Sequence, residues 1–197
     1  MSPRGKDGRP RAGPSPGRAA TDLPYDTGND LPEGVRAQVV DLLNQRLADA
    51  IDLDSQTKQA HWNVKGPHFI SLHKLFDEVH DAMEGYVDLL AERVVQLGGI
   101  AAGSVQVDAE RTALPEYPST VAPEAEYVYA LARSLAEFGG HVRRAIVQTN
   151  DWGDQVSSDI CTEISRGVDQ WLWFVEAHGQ GRERGGVPAL ESNGGSR

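Results

Sequence analysis

Cysteine is all but missing from this 197-residue chain; Cys161 stands alone. One thiol builds neither a disulfide scaffold nor a thiolate zinc cluster, since both need several. No apolar run approaches the roughly 18 residues of a membrane-spanning helix. Arg4, Lys6, Arg9 and Arg11 open the chain without an apolar stretch behind them, so no secretory signal is read there. With these absences the expected compartment is the reducing cytoplasm, and no membrane partner is expected. A basic excess is also lacking: 29 acidic against 19 basic side chains leave a net charge of −10. That excludes a uniformly basic nucleic-acid binder, though not a basic appendage. The composition that remains, 39% hydrophobic and 24% charged, is that of a globular body rather than a disordered chain. The length suits one domain with tails.

The charge is unevenly spread. Residues 1–18 carry Arg4, Lys6, Arg9, Arg11 and Arg18 against Asp7, a balance of +4, with four prolines and four glycines. Such a stretch buries too little apolar surface to offset chain entropy and is expected to be disordered. Residues 179–197 are similar in composition and carry +1, which leaves −15 on the body between the tails. The organisation expected is a disordered basic N-terminal tail over 1–32, a helical body over 33–178 and a flexible C-terminal tail over 179–197.

The body reads as four long helices. Val35, Val39, Leu42, Leu43, Leu47, Ala50 and Ile51 recur at helical steps, from about Glu33 after Pro32 to Trp62. Gly66-Pro67 breaks the chain. A second apolar stripe runs from Leu72 to Leu97 and meets Gly98-Gly99. Residues 100–122 have no strong period and form a long connection with room for one short helix. A third helix follows Pro123, a turn falls at 150–153, and a fourth helix ends near His178. The expected class is all-α: a four-helix bundle with its long crossover between the second and third helices, the ferritin-like connectivity. Topology alone leaves a plain bundle without chemistry equally open.

The second helix is unusual. His73, Asp77, His80, Asp81, Glu84, Asp88 and Glu92 fall within an arc of about 120°, and none of the seven is Lys or Arg. Solvated faces normally mix signs. Two readings fit: a wet acidic face, or carboxylates and imidazoles compensated by iron, manganese or zinc. His73 and Asp77 are one turn apart, as are Asp88 and Glu92. The two pairs lie eleven residues apart, about 16 Å along the axis, too far to share one ion within a chain. Both 73/92 and 77/88 are centred between residues 82 and 83. A two-fold axis there would set His73 opposite Glu92 of a second copy and Asp77 opposite Asp88, making two equivalent sites. His61, just before the Gly66-Pro67 break, joins His73 if the helices form a hairpin; a lone structural histidine is the alternative. No Glu is followed three residues later by His, so the Glu-x-x-His pair of a within-subunit di-iron site is absent.

Three segments then carry a resemblance: KQAHWNVKGPHFISLHKLFD at 58–77, DLLAERVVQLGG at 88–99 and DQWLWFVE at 169–176. Together they resemble the Dps family of mini-ferritins, the DNA-binding proteins from starved cells, over about residues 35–178. The resemblance implies a four-helix subunit in a hollow homododecamer with ferroxidase centres between two-fold-related subunits. It assigns His61, His73 and Asp77 as iron ligands from one subunit and Asp88 and Glu92 from the neighbour. Trp62 matches a family tryptophan beside the iron, as electron donor or simply as a packed side chain. Acids near the start of the fourth helix line the family's three-fold pores; Asp151, Asp154 and Asp159 are the candidates here, with spacing that departs from the family pattern. His80, Asp81 and Glu84 lie outside the ferroxidase pattern and read either as a further metal site or as a solvated stretch.

The function implied is oxidation of Fe2+ by hydrogen peroxide or oxygen, followed by storage of the ferric product. Arg4, Lys6, Arg9, Arg11 and Arg18 are candidate phosphate contacts for non-specific DNA binding and association with the nucleoid. A nucleoid-compacting protein with iron handling secondary is the alternative function, and a solubilising or assembly role the alternative for the tail.

Overall fold

The computed structural model describes residues 23–120 and 122–180. Five helices follow one another: α1 Glu33–Asn63, α2 Phe69–Gln96, α3 Val105–Arg111, α4 Glu124–Asp151 and α5 Gln155–Gln180. The four long ones form the bundle, and the described residues contain no strand. α1 packs against α2 and α4 against α5, each pair joined by a short turn, while α1–α4 and α2–α5 contacts unite the halves. The core is a continuous cluster that includes Leu43, Leu47, Phe76, Met83, Leu131, Phe138 and Ile164, all fully buried.

Helix ends fall where local chemistry puts them. Pro32 opens α1 and its carbonyl accepts from the N–H groups of Val35 and Arg36. α2 closes on Gly98, whose φ of +87° is left-handed and suits a residue without a Cβ. A Cβ there would also strike the Tyr25 carbonyl oxygen, because the N-terminal segment crosses the end of α2. This moves the boundary of the basic tail. Residues 23–32, assigned above to the disordered tail, are anchored: Tyr25 N–H donates to Gly98 O at 3.2 Å and Thr27 Oγ1 to Gln96 O at 3.3 Å. Arg36 donates to Leu97 O at 2.9 Å and to Leu31 O at 3.1 Å. The last carbonyls of a helix have no partner within it, and this segment supplies partners. At the other end α5 runs through Gln180, two residues past the expected end.

The crossover carries α3 and is fastened to a polar edge of α1. Asn44 bridges Ile100 O and Ala102 N–H at 3.1 and 2.9 Å. Gln45, Asp52 and Gln56 reach Arg111 O, Thr112 Oγ1 and Pro115 O. Deeper in the bundle, Asp49 is fully buried between Arg46 at 3.0 Å and His141 of α4 at 2.9 Å. A buried charge is tolerated when it is paired in this way. Burial pushes the Cys161 thiol up to about 12, so it stays protonated at neutral pH.

Candidate metal centre

The α1–α2 hairpin brings three cross-helix pairs into register. His61 meets His73, Lys58 meets Asp77, and Asp54 meets His80. All six come from one face of each helix, at spacings of three and four residues.

The two histidines are held reciprocally. His61 Nδ1–H donates to His73 O at 2.8 Å, and His73 Nδ1–H donates to His61 O at 2.9 Å. Their rings stack with centroids 3.7 Å apart and planes 21° apart. A carbonyl oxygen only accepts, so Nδ1 carries a proton in each ring and Nε2 is the nitrogen left for a ligand. That is the state in which neutral imidazole binds a metal, with the outer hydrogen bond already fixing tautomer and orientation. Asp77 Oδ1 sits 3.6 Å from His61 Nδ1 and 2.7 Å from Lys58 Nζ. The Lys58 ammonium holds the Asp77 carboxyl below the usual carboxylate range, so it is ionised at neutral pH. One imidazole pair and one carboxylate lie adjacent and partly exposed, donor types that suit a first-row cation, but their ligand atoms are not drawn within 4.8 Å of one another as those of His80, Asp81 and Glu84 are.

Asp88 and Glu92 do not join this group within the chain. Both are exposed on α2, about three turns beyond Asp77. Trp62 follows His61 with 63% of its surface exposed, so it does not pack in the core of its own subunit. His80 Nδ1 is 2.5 Å from Asp54 Oδ1, and burial raises the Asp54 carboxyl above its ordinary value while the His80 hydrogen bond opposes the rise.

Of the three pore candidates, Asp151 and Asp159 are exposed and Asp154 is not. Asp154 is 1% exposed and accepts from Arg93 Nη2 at 2.8 Å. It also accepts from Ser157 N–H at 3.0 Å and Ser157 Oγ at 2.6 Å. It caps the N-terminus of α5 and neutralises a buried arginine, so it is a structural group and not a pore lining. The candidate DNA contacts Arg4, Lys6, Arg9, Arg11 and Arg18 lie outside the described residues.

Lys58 and Asp54 are neighbours of the site that the ligand pattern alone does not include. Their signal was present: 54, 58 and 61 descend α1 as 80, 77 and 73 ascend α2, the register of an antiparallel hairpin. Among the described residues no helix is long and apolar enough to cross a membrane.

Comparison with known proteins adds lineage to this geometry. The family model described as a ferritin-like domain matches residues 40–184. The DNA protection during starvation protein of Agrobacterium fabrum is 43% identical over 156 residues, covering 79% of this chain and 96% of that protein. The protein of the same name from Mycolicibacterium smegmatis is 31% identical, over 72% of this chain and 77% of its own length. Among solved structures, DpsC from Streptomyces coelicolor superposes with a TM-score of 0.77 at 28% identity, covering 84% of this chain and 95% of that one. Dps from Microbacterium arborescens in its high-iron form superposes with a TM-score of 0.71 at 32% identity, covering 78% and 98%.

Proposed function

From the premise that this chain belongs to the Dps family of ferritin-like proteins, we propose that it is a ferroxidase that oxidises Fe2+ and stores the ferric product. The observation that carries this reading is the locked histidine pair. His61 and His73 each commit Nδ1 to a backbone carbonyl, which leaves Nε2 for iron beside an ionised Asp77, and the three close on the ion once Lys58 gives up Asp77. Asp88 and Glu92 complete the sphere from a second copy packed antiparallel along α2, with the two-fold axis between residues 82 and 83. The subunits assemble as a homododecamer, so each interface holds two such centres.

Fe2+ is the substrate. A body of −15 between the tails concentrates cations at the particle. Asp151 and Asp159, exposed near the start of α5, line its entry. At the centre, Lys58 releases Asp77 as the cation arrives and supplants the ammonium. Carboxylate oxygens favour the ferric over the ferrous state and so assist electron loss. Two Fe2+ ions give one electron each to one hydrogen peroxide molecule. With two waters, the balanced products are two FeOOH units and four protons, and no hydroxyl radical leaves. Trp62, exposed next to His61, is placed to donate an electron when only one iron is present.

The relatives named for DNA protection suggest a second task. Residues 1–18, at +4, neutralise phosphates without reading bases, and twelve such arms act multivalently. The protein then works in the cytoplasm on the nucleoid.

Stopped-flow oxidation of Fe2+ by peroxide tests the iron reading. The double variant His73→Ala/Asp77→Ala should assemble normally and lose the fast phase. Wild-type rates in assembled particles of that variant would refute it.

A further inference from the structure

The turn of α2 after Asp77 carries three groups to which iron oxidation gives no task. His80, Asp81 and Glu84 each place one ligand atom within 4.8 Å of the others. Clustered acids on a wet helix are ordinary; the imidazole sets this cluster apart. Asp54, from the facing helix α1, accepts a hydrogen bond from His80 Nδ1–H, which leaves Nε2 as the nitrogen turned toward Glu84. That nitrogen lies 4.0 Å from Glu84 Oε1, beyond hydrogen-bond range. With Nε2 unprotonated, two acceptors face one another and no donor lies between them, a gap that a cation fills. Lys58, whose charge reaches Asp54, has its amine committed to Asp77 at 2.7 Å. An ion at the bond lengths of about 2.0–2.2 Å usual for imidazole and carboxylate ligands spans the gap after a small rotation of Glu84, whose side chain is 68% exposed.

A second argument rests on the two-fold pairing proposed above. Asp81 and Glu84 are centred on the same point as 73/92 and 77/88, so Asp81 of one subunit lies opposite Glu84 of the partner subunit. Four carboxylates then converge at the axis, and α2 has no Lys or Arg between Lys74 and Arg93 to offset them.

We propose that His80, Asp81 and Glu84 bind a first-row divalent cation, with Asp54 as the outer carboxylate that orients His80, at a site separate from the His61–His73–Asp77 centre. Imidazole with two carboxylates suits Zn2+, Mn2+ or Fe2+. The competing occupant is a proton on Nε2, which would pair His80 with Glu84 directly.

Equilibrium dialysis of the full-length assembled protein against Zn2+ at neutral pH, with metal counted per chain, decides between them. His80→Ala/Glu84→Gln should lose one ion per chain relative to wild type. His73→Ala/Asp77→Ala should keep that ion. Asp54→Asn, which leaves all three ligands in place, should weaken it by about 10- to 100-fold, as loss of an outer-shell partner does, and it decides the matter if the first variant fails to assemble. The proposal is overturned if His80→Ala/Glu84→Gln binds as much Zn2+ as wild type, or if His73→Ala/Asp77→Ala loses every ion. Neither result bears on the oxidation rate of the latter variant, which tests the iron centre by itself.

Discussion

Asp154→Ala separates a structural acid from a pore acid. Asp154 and Arg93 are 1% and 5% exposed and 2.8 Å apart. Removing one partner of a buried pair strands the other charge, at a cost of about 3–5 kcal/mol. The same carboxylate caps α5 through Ser157, worth a further cost of about 1 kcal/mol. In a chain of this size each kcal/mol moves the midpoint by about 2–4 °C, so a fall of about 8 °C or more is expected. Circular dichroism melting at one fixed chain concentration measures it, since assembly makes the midpoint depend on concentration. Asp154→Asn keeps the cap acceptor and should fall less. Well below the melting range, Asp154→Ala particles should admit and oxidise Fe2+ at the wild-type rate. A variant that melts with wild type but admits iron slowly would refute the reasoning and restore Asp154 to the pore.

The remaining predictions concern the entry, the site and the tail. Asp151→Asn and Asp159→Asn, both at exposed positions, should change stability by no more than about 0.5 kcal/mol and slow iron uptake; normal uptake in the pair of variants would remove them from the entry path. Lys58→Met should return the Asp77 carboxyl upward to the ordinary range, as read by NMR titration. A depressed folded pKa means that the Lys58–Asp77 contact holds above the usual carboxylate range and fails as pH falls through the folded value. The variant should therefore protonate Asp77 at higher pH, while at neutral pH it should half-saturate at lower Fe2+ because no ammonium competes. Deleting residues 1–18 should abolish DNA retardation at low salt, and retention of the full shift would place DNA binding elsewhere.

Much of the fold was legible because apolar spacing and punctuation agreed. Pro32, Gly66-Pro67, Gly98 and Pro123 mark helix ends that the structure places within a few residues. The α2 stripe was legible for the opposite reason: it breaks the rule that exposed faces mix charge. What escaped reading depended on partners distant in sequence. Asp154 looks like any loop acid until Arg93, 61 residues earlier, is found against it. Residues 23–32 share the polar, turn-rich composition of the tail; only the unpaired carbonyls at the end of α2 explain why they stay. Asn44, Asp49 and Gln56 weaken the apolar pattern of α1, yet all are buried, because they fasten the crossover or pair with Arg46, His141 and Ser134. The hairpin register that joins Lys58 to Asp77 was encoded, but it emerges only once the turn at 64–68 is known to set the two helices antiparallel.

Anomalous diffraction at the iron edge, from crystals soaked anaerobically in ferrous salt, addresses the central claim most directly. Iron is expected at each two-fold interface, bound by Nε2 of His61 and His73 and by Asp77 of one protomer, with Asp88 and Glu92 of the partner subunit closing the sphere. Interfaces without iron, or iron held by neither histidine, would contradict it.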